Sequence, residues 1–323
     1  VRTSCSSWLF LIVLAVNWGC VSWSEHVEPR PAPQTLAGSQ LEAPKGPLQD
    51  AARAAAEGRQ GDVQGILQNF QPQDDDQLIW TRYLIGEAQM NLGSYERGWK
   101  NLMANYEALR DQAAQLSPAS RRVAAKSLQK IAWWHRQRQQ WTDAYFFHHM
   151  QYLYLRAYGS LEEQHEALIS LDQTSYRLRN HFASEVWLRE SIQLGMSMPE
   201  GLARQRALGT SWNHLAATLR EQSRWQEAIN ANLESRKFWL ALDQATGRAE
   251  EQELWGLAQA AEILSAWGQF LQSQDPAAAR QKWDEARTIA RQALMRGEQS
   301  RLDAAARGVL ETRLRPICPR PCL

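Results

Sequence analysis

From Leu48 to Leu314 apolar residues return at steps of three and four, the spacing that places them on one face of an α-helix. Alternating β-branched runs are missing, and Ala, Leu, Gln, Arg and Glu, which favour helix, dominate. Short polar patches interrupt the pattern: Asn91 to Ser94, Gln137 to Gln140, Arg179 to His181 and Glu221 to Arg224. Each divides one helix from the next. Gln71 to Asp76 and Ser273 to Pro276 are stronger stops. In the second, Asp275 reads as a helix cap and Pro276 as the first-turn residue that needs no N–H partner. The expectation is an all-α chain of paired helices.

The pairs repeat. Ile85, Ile131, Leu171 and Leu215 each precede a small residue by thirteen positions: Gly98, Ala144, Ser184 and Ala228. The residue following each of the first set is Gly86, Ala132, Asp172 or Ala216, and a ring stands three before each small residue: Tyr95, Trp141, His181, Trp225. A small side chain on each of two antiparallel helices lets their backbones approach, and the ring fills the space beside the turn.

This arrangement resembles the tetratricopeptide repeat (TPR) family. In Ser211 to Leu242 the residues Trp212, Leu215, Ala216, Leu219, Trp225 and Ala228 fall on its signature positions. The segments from Leu128 and from Arg82 match less fully, and the Leu168 segment departs where Asp172 replaces a small residue. Aligned positions are 46, 40 and 44 residues apart (85, 131, 171, 215), longer than the family's usual period and similar to kinesin-light-chain-like arrays. Leu48 to Phe70 reads as an incomplete first repeat and Leu254 to Arg296 as a divergent last pair. The resemblance implies an all-α, TPR-like solenoid, a right-handed superhelix of antiparallel hairpins over residues 47–314, whose first helices line a concave groove for a peptide or protein. The groove residues it implies include Trp80, Tyr83 and, with them, Glu87 and Met90. The following repeats add Lys126, Gln129, Trp133 and Arg136, then Tyr176 and Arg177, then Asn213 and Arg220. The set does not reproduce the two-carboxylate clamp of chaperone-binding members.

Outside the repeats, residues 1–24 read as an export signal: Arg2, the apolar core Trp8 to Val16, and small residues before Glu25. Cys20 after Gly19 offers lipid attachment as the alternative, and an uncleaved signal as another. Residues 25–46 form a Pro-rich linker, and residues 315–323 a tail holding Cys318 and Cys322, which an oxidising compartment would allow to pair. Together these imply an exported protein, periplasmic or outer-membrane-associated, with secretion as the alternative. A net charge of +1 gives no electrostatic reason to expect nucleic acid. Membrane contact is expected only through the N-terminus.

Candidate chemistry is thin. His148, His149 and Met150 are neighbours, but adjacent helical residues diverge, so no metal site is expected. Asp74 to Asp76 lacks the glycine and distal glutamate of a calcium loop and reads as a helix start. No phosphate loop, nucleophile elbow or zinc-protease motif is present in the sequence. The expectation is a protein-binding scaffold that needs no cofactor, with a helical enzyme or a lipid-anchored tether as the alternatives.

Overall fold

A computed structural model describes residues 42–246, 251–300, 302 and 304–318. The export signal with Cys20, most of the linker and Cys322 lie outside them. Thirteen α-helices and no strand occur among the described residues. The first pair is short, α1 (Pro47–Ala56) and α2 (Gln60–Leu67). Four longer hairpins follow: α3 (Asp75–Asn91) with α4 (Tyr95–Gln112), α5 (Pro118–Gln137) with α6 (Trp141–Tyr158), α7 (Leu161–Arg177) with α8 (His181–Ser197), and α9 (Leu202–Glu221) with α10 (Trp225–Thr246). A fifth, α11 (Glu251–Leu271) with α12 (Pro276–Gln299), precedes α13 (Ala304–Leu314), which packs across both of its helices.

Each helix packs on the next, and first helices also touch first helices, α1 on α3, α3 on α5, α7 on α9, α9 on α11. That serial contact pattern is a solenoid rather than a bundle around one centre. The apolar interior passes along the stack. Trp187 and Leu194 of α8 pack on the cluster built from α1 to α7, while Ile169 of α7 packs on the cluster built from α8 to α11.

The second helices begin on the rings that the sequence pattern singled out, Tyr95, Trp141, His181 and Trp225. The small pairs close the hairpins. A Cβ placed on Gly98 would lie 2.7 Å from the Gly86 carbonyl oxygen. Ala132, Ala144, Ala216 and Ala228 are fully buried at the matching positions. Where Asp172 departs from the pattern, its partner compensates: Ser184 Oγ donates to the Asp172 carboxylate at 2.5 Å. His214 Nδ1 meets the other oxygen at 2.6 Å, so a polar contact between α7, α8 and α9 replaces an apolar one.

The turns repeat as strictly as the helices. Gly93, Gln139, Arg179 and Ser223 all have positive φ, between 58° and 83°, and stand 46, 40 and 44 residues apart. In each turn the residue after this one donates its N–H five residues back, for example Arg224 to the Leu219 carbonyl at 2.9 Å, the Schellman closure of a helix end. A left-handed backbone costs a non-glycine residue roughly 1 kcal/mol or more. Ser223→Gly is therefore expected to stabilise the chain by about 0.5–1 kcal/mol, the relief being partly offset by glycine's freer unfolded state. A thermal melt checks this; Gly93→Ala, which imposes that strain on a fourth turn, is expected to melt lower.

Helix starts follow local chemistry. Asp74 accepts from Gln77 N–H at 2.7 Å, and Asp275 accepts from Ala277 and Ala278. Both acidic starts are helix caps, as the sequence indicated. No described helix is long and apolar enough to cross a membrane. Cys318 is buried and disulfide-bonded.

Candidate functional site: the face of the first helices

The helices α3, α5, α7, α9 and α11 present one face along the stack, and polar pairs lace it from repeat to repeat. Glu87 of α3 pairs with Lys130 of α5. Glu163 of α7 takes Arg122 at 2.9 Å and Lys126 at 3.3 Å, both from α5. The same Glu163 closes a capping box with Ser160 at the start of α7, so a single carboxylate starts one helix and ties it to another. Burial works against ionisation of Glu163, but the Arg122, Ser160 and Lys126 contacts outweigh it and hold the acid below its ordinary range. Arg220 of α9 meets Glu221 at 2.7 Å and Glu262 of α11 at 3.5 Å. Asn213 of α9 and Gln259 of α11 exchange two hydrogen bonds, at 3.1 and 2.9 Å.

The residues expected to meet a ligand divide accordingly. Trp80 is corrected: it is 4% exposed and belongs to the core, because its side of α3 turns toward the neighbouring helices. Met90 is buried for the same reason. Tyr83 is partly buried against that core, and burial, then the charge of Glu87, raises its phenol well above the ordinary range. Lys126, Asn213 and Arg220 are engaged between repeats, as described. Tyr176 is partly buried beside Glu221 and Arg220, and Gln129 is partly buried on α5. Trp133, 38% exposed, and Arg177, exposed at the end of α7, remain open. Arg136, one turn after Trp133, is partly buried, and burial, then the charge of Arg177, lowers its guanidinium from the usual value. Arg177 also lies over the Trp141 ring, 5.8 Å from its centroid.

Three acids and an amide carry the lacing that sequence reasoning missed: Glu163, Glu262, Gln259 and Asp172. Each sits in a helix whose neighbour supplies its partner 41 to 51 residues away. The repeat spacing was the available signal, since pairs about one period apart face each other.

His148 is 2% exposed, with Nδ1 at 3.3 Å from Gln151, and burial pushes its pKa down to about 4. It is a neutral core histidine at ordinary pH. No cluster of three or more metal-ligating side chains occurs among the described residues. A separate cleft of about 940 Å³ lies between α10, α11 and α12, lined by Leu233, Leu264, Trp267 and Ile289 and by the charged side chains of Arg236 and Lys282. None of the residues expected from the sequence lies in it.

Solved structures share the arrangement. The chain is similar to a Signal Transduction ATPase with Numerous Domains (STAND) protein with a tetratricopeptide repeat sensor from Pyrococcus horikoshii, at TM-score 0.58 and 12% identity over 84% of this chain. It is also similar to the apo form of RapI, at TM-score 0.54 and 11% identity, again over 84% of this chain and 71% of RapI. The fold is a TPR-like helical solenoid. The chain spans 38% of the STAND protein's length. No protein-family model matches the chain, and no curated protein matches its sequence.

Proposed function

We propose that this TPR-like chain is a scaffold that binds a protein or peptide segment along the concave face of its first helices and carries no chemistry of its own. The observation that carries this reading is the state of that face. Much of that face is spent on ties between repeats, while the Trp133 indole and the Arg177 guanidinium are left open and Arg136 stays partly exposed one turn from the indole. Large planar apolar groups beside arginine supply contact area and forked hydrogen bonding, the combination that dominates protein-binding hot spots. The solenoid supports the reading further, because stacked hairpins offer an extended surface rather than an enclosed pocket. The repeat lengths fit the kinesin-light-chain-like kind of array. The N-terminal sequence supports an exported protein of the bacterial envelope, periplasmic or held at the outer membrane through lipid on Cys20. Assembly of other envelope proteins is the role such a scaffold fits.

Trp133→Ala combined with Arg136→Ala is the test. The double variant is expected to keep its helical circular dichroism and its melting temperature within a few degrees, and to lose capture of its partner from envelope extracts. A collapsed melt would show that these residues hold the fold, and the face would then not be the binding surface. Labelled palmitate entering the wild type but not Cys20→Ala would separate lipid anchoring from simple cleavage.

A further inference from the structure

The space between successive second helices is filled in one place and left open in another. Between α6 and α8 rings close the gap. Tyr145 stacks on His149 with centroids 6.0 Å apart, and Trp187 of α8 meets His149 at 5.7 Å and Tyr152 at 6.0 Å. Counted from the helix starts, the same positions recur two repeats further on. Tyr145, His149 and Tyr152 of α6 correspond to Ile229, Leu233 and Arg236 of α10, and Trp187 of α8 corresponds to Lys282 of α12. The fully buried Ala144, Ser184, Ala228 and Ala279 stand at one shared position of the four helices and fix this register.

Lys282 does not fill what Trp187 fills. The cleft of about 940 Å³ stands there instead, with Ile229, Leu233, Arg236 and Lys282 all on its walls. The neighbouring Trp283 leaves it open, because its indole turns to α11, donating to the Ser265 carbonyl at 3.3 Å and lying on Gly268. The α10 residue at the Trp187 position is Ala231, and a second cleft of about 660 Å³ has Ala231 and Arg189 of α8 on its walls. Charges in that second cleft are already paired, Glu234 with Lys237 and Glu253 with Arg236. The larger cleft is different. Three helices give it apolar walls, Leu233 of α10, Leu264 and Trp267 of α11 and Ile289 of α12, and Leu233 is 46% exposed. Most of its charged groups are engaged: Arg236 with Glu253 at 3.1 Å, Lys282 with Glu285 at 2.9 Å and Asp284 with Arg287 at 2.8 Å. Lys282 also covers the Trp267 ring, with Nζ 4.5 Å from the centroid. Arg280 is exposed on the same wall and pairs with no acid among the described residues. A concave, mainly apolar site of about 300–1,000 Å³ with a few polar groups is the usual form of a small-molecule site. A guanidinium free of partners takes a carboxylate or sulfonate through forked hydrogen bonds.

We propose that the cleft between α10, α11 and α12 binds a small aromatic anion, whose rings take the place that Trp187 takes between α6 and α8 and whose acid meets Arg280. Leu233, Trp267 and Ile289 supply the apolar contact. Trp187 is the internal template for the ring, and the uneven charge of the rim sets the sign of the ligand. The site shares no residue with the first-helix face described above, so it is a second binding function of the chain and stands or falls apart from peptide capture.

Fluorescence titration of the full chain with two dyes tests this, anilinonaphthalene sulfonate and its uncharged counterpart phenylnaphthylamine. The sulfonate is expected to saturate a single site per chain. Lys282→Trp, which restores the ring of the α8 pattern, should weaken it about tenfold or more and raise the melting temperature without ligand by a few degrees. Arg280→Gln, a change at an exposed position that leaves the apolar walls intact, should weaken the sulfonate about threefold or more and leave phenylnaphthylamine unchanged. Naphthoate should displace the dye. Absence of saturable binding, unchanged binding by Lys282→Trp, or a lower melting temperature for that variant would overturn the site. Equal loss of both dyes on Arg280→Gln, or loss of neither, would overturn the assignment of an anion. Displacement by laurate and not by naphthoate would give the cleft to an acyl chain, and a dimer that Lys282→Trp dissociates would give it to a second copy of the chain; either result overturns the aromatic ligand.

Discussion

Glu253→Ala is expected to cost about 3–5 kcal/mol, the loss typical when one member of a buried ion cluster is removed. Glu253 of α11 is 6% exposed and takes two arginines, Arg236 of α10 at 3.1 Å and Arg296 of α12 at 2.5 Å. Those arginines are themselves about three-quarters covered. Alanine would leave two guanidiniums facing each other with no acid between them, and the buried Arg236 Nε already lacks a partner. Glu253→Gln keeps the volume and an acceptor but drops the charge, so about 2 kcal/mol is the expected loss. Denaturant midpoints would rank the two, and amide exchange should rise mainly in α10 to α12, because solenoid repeats are stabilised by their neighbours. The pH dependence has a definite sign. Burial opposes ionisation of Glu253, but hydrogen bonds from Arg296 and Arg236 outweigh it, so its folded pKa lies below the ordinary 4.5. The contribution is complete above the ordinary carboxylate range and disappears as pH falls through the lowered value. The wild type should therefore lose more stability than Glu253→Gln on acidification below about pH 4.5. Equal acid sensitivity of the two would mean that the cluster does not hold this end of the stack.

That cluster marks the limit of what the amino-acid order made legible. Helices, their turns and their pairing could be read because each depends on residues close in sequence. The ring that opens a second helix, the small residue three positions on, and the polar break before them are all local. The register of 46, 40 and 44 carried the stacking as well, and the left-handed turn residues follow it although only Gly93 advertises itself by type. The site was less legible. Trp80 and Lys126 both fit a groove position by register, yet one is core and the other is tied to Glu163. Periodicity tells which face a side chain leaves from, and not whether a neighbour one period away has already engaged it. Glu253 illustrates the same gap. Arg236 reaches it by crossing Gly256, where an added Cβ would lie 2.6 Å from Arg236 Cγ. That route depends on a missing side chain in a different helix, and no pattern within either helix announces it.

Gly98→Val is expected to be the other large loss, about 3 kcal/mol, at a position where general helix preference argues for the opposite sign. Glycine within a helix gives up roughly 1 kcal/mol relative to alanine. Substitution at a glycine with open surroundings should therefore stabilise, and Gly65 of α2, with nothing within 4 Å of an added Cβ, is such a control. At Gly98 the added Cβ would stand 2.7 Å from the Gly86 carbonyl oxygen and 3.0 Å from the Met90 backbone nitrogen. Backbone atoms in a helix cannot rotate away, so α3 and α4 would have to part, and the buried Ala88, Met90 and Leu102 would lose contact along the seam. Gly86→Ala is the milder case. Its Cβ would meet chiefly the Leu102 side chain at 2.9 Å, which can shift, although the Gly98 carbonyl lies at 3.1 Å. The expected order of loss is Gly98→Val, then Gly98→Ala, then Gly86→Ala, with Gly65→Ala gaining slightly. The matching sites in the next hairpins already carry Ala144, Ser184 and Ala228, so a Cβ is tolerated wherever the opposing backbone lies further off. If urea unfolding found Gly98→Val as stable as wild type, the close approach of α3 to α4 would be refuted, and with it the reason for a glycine at both positions of this hairpin alone.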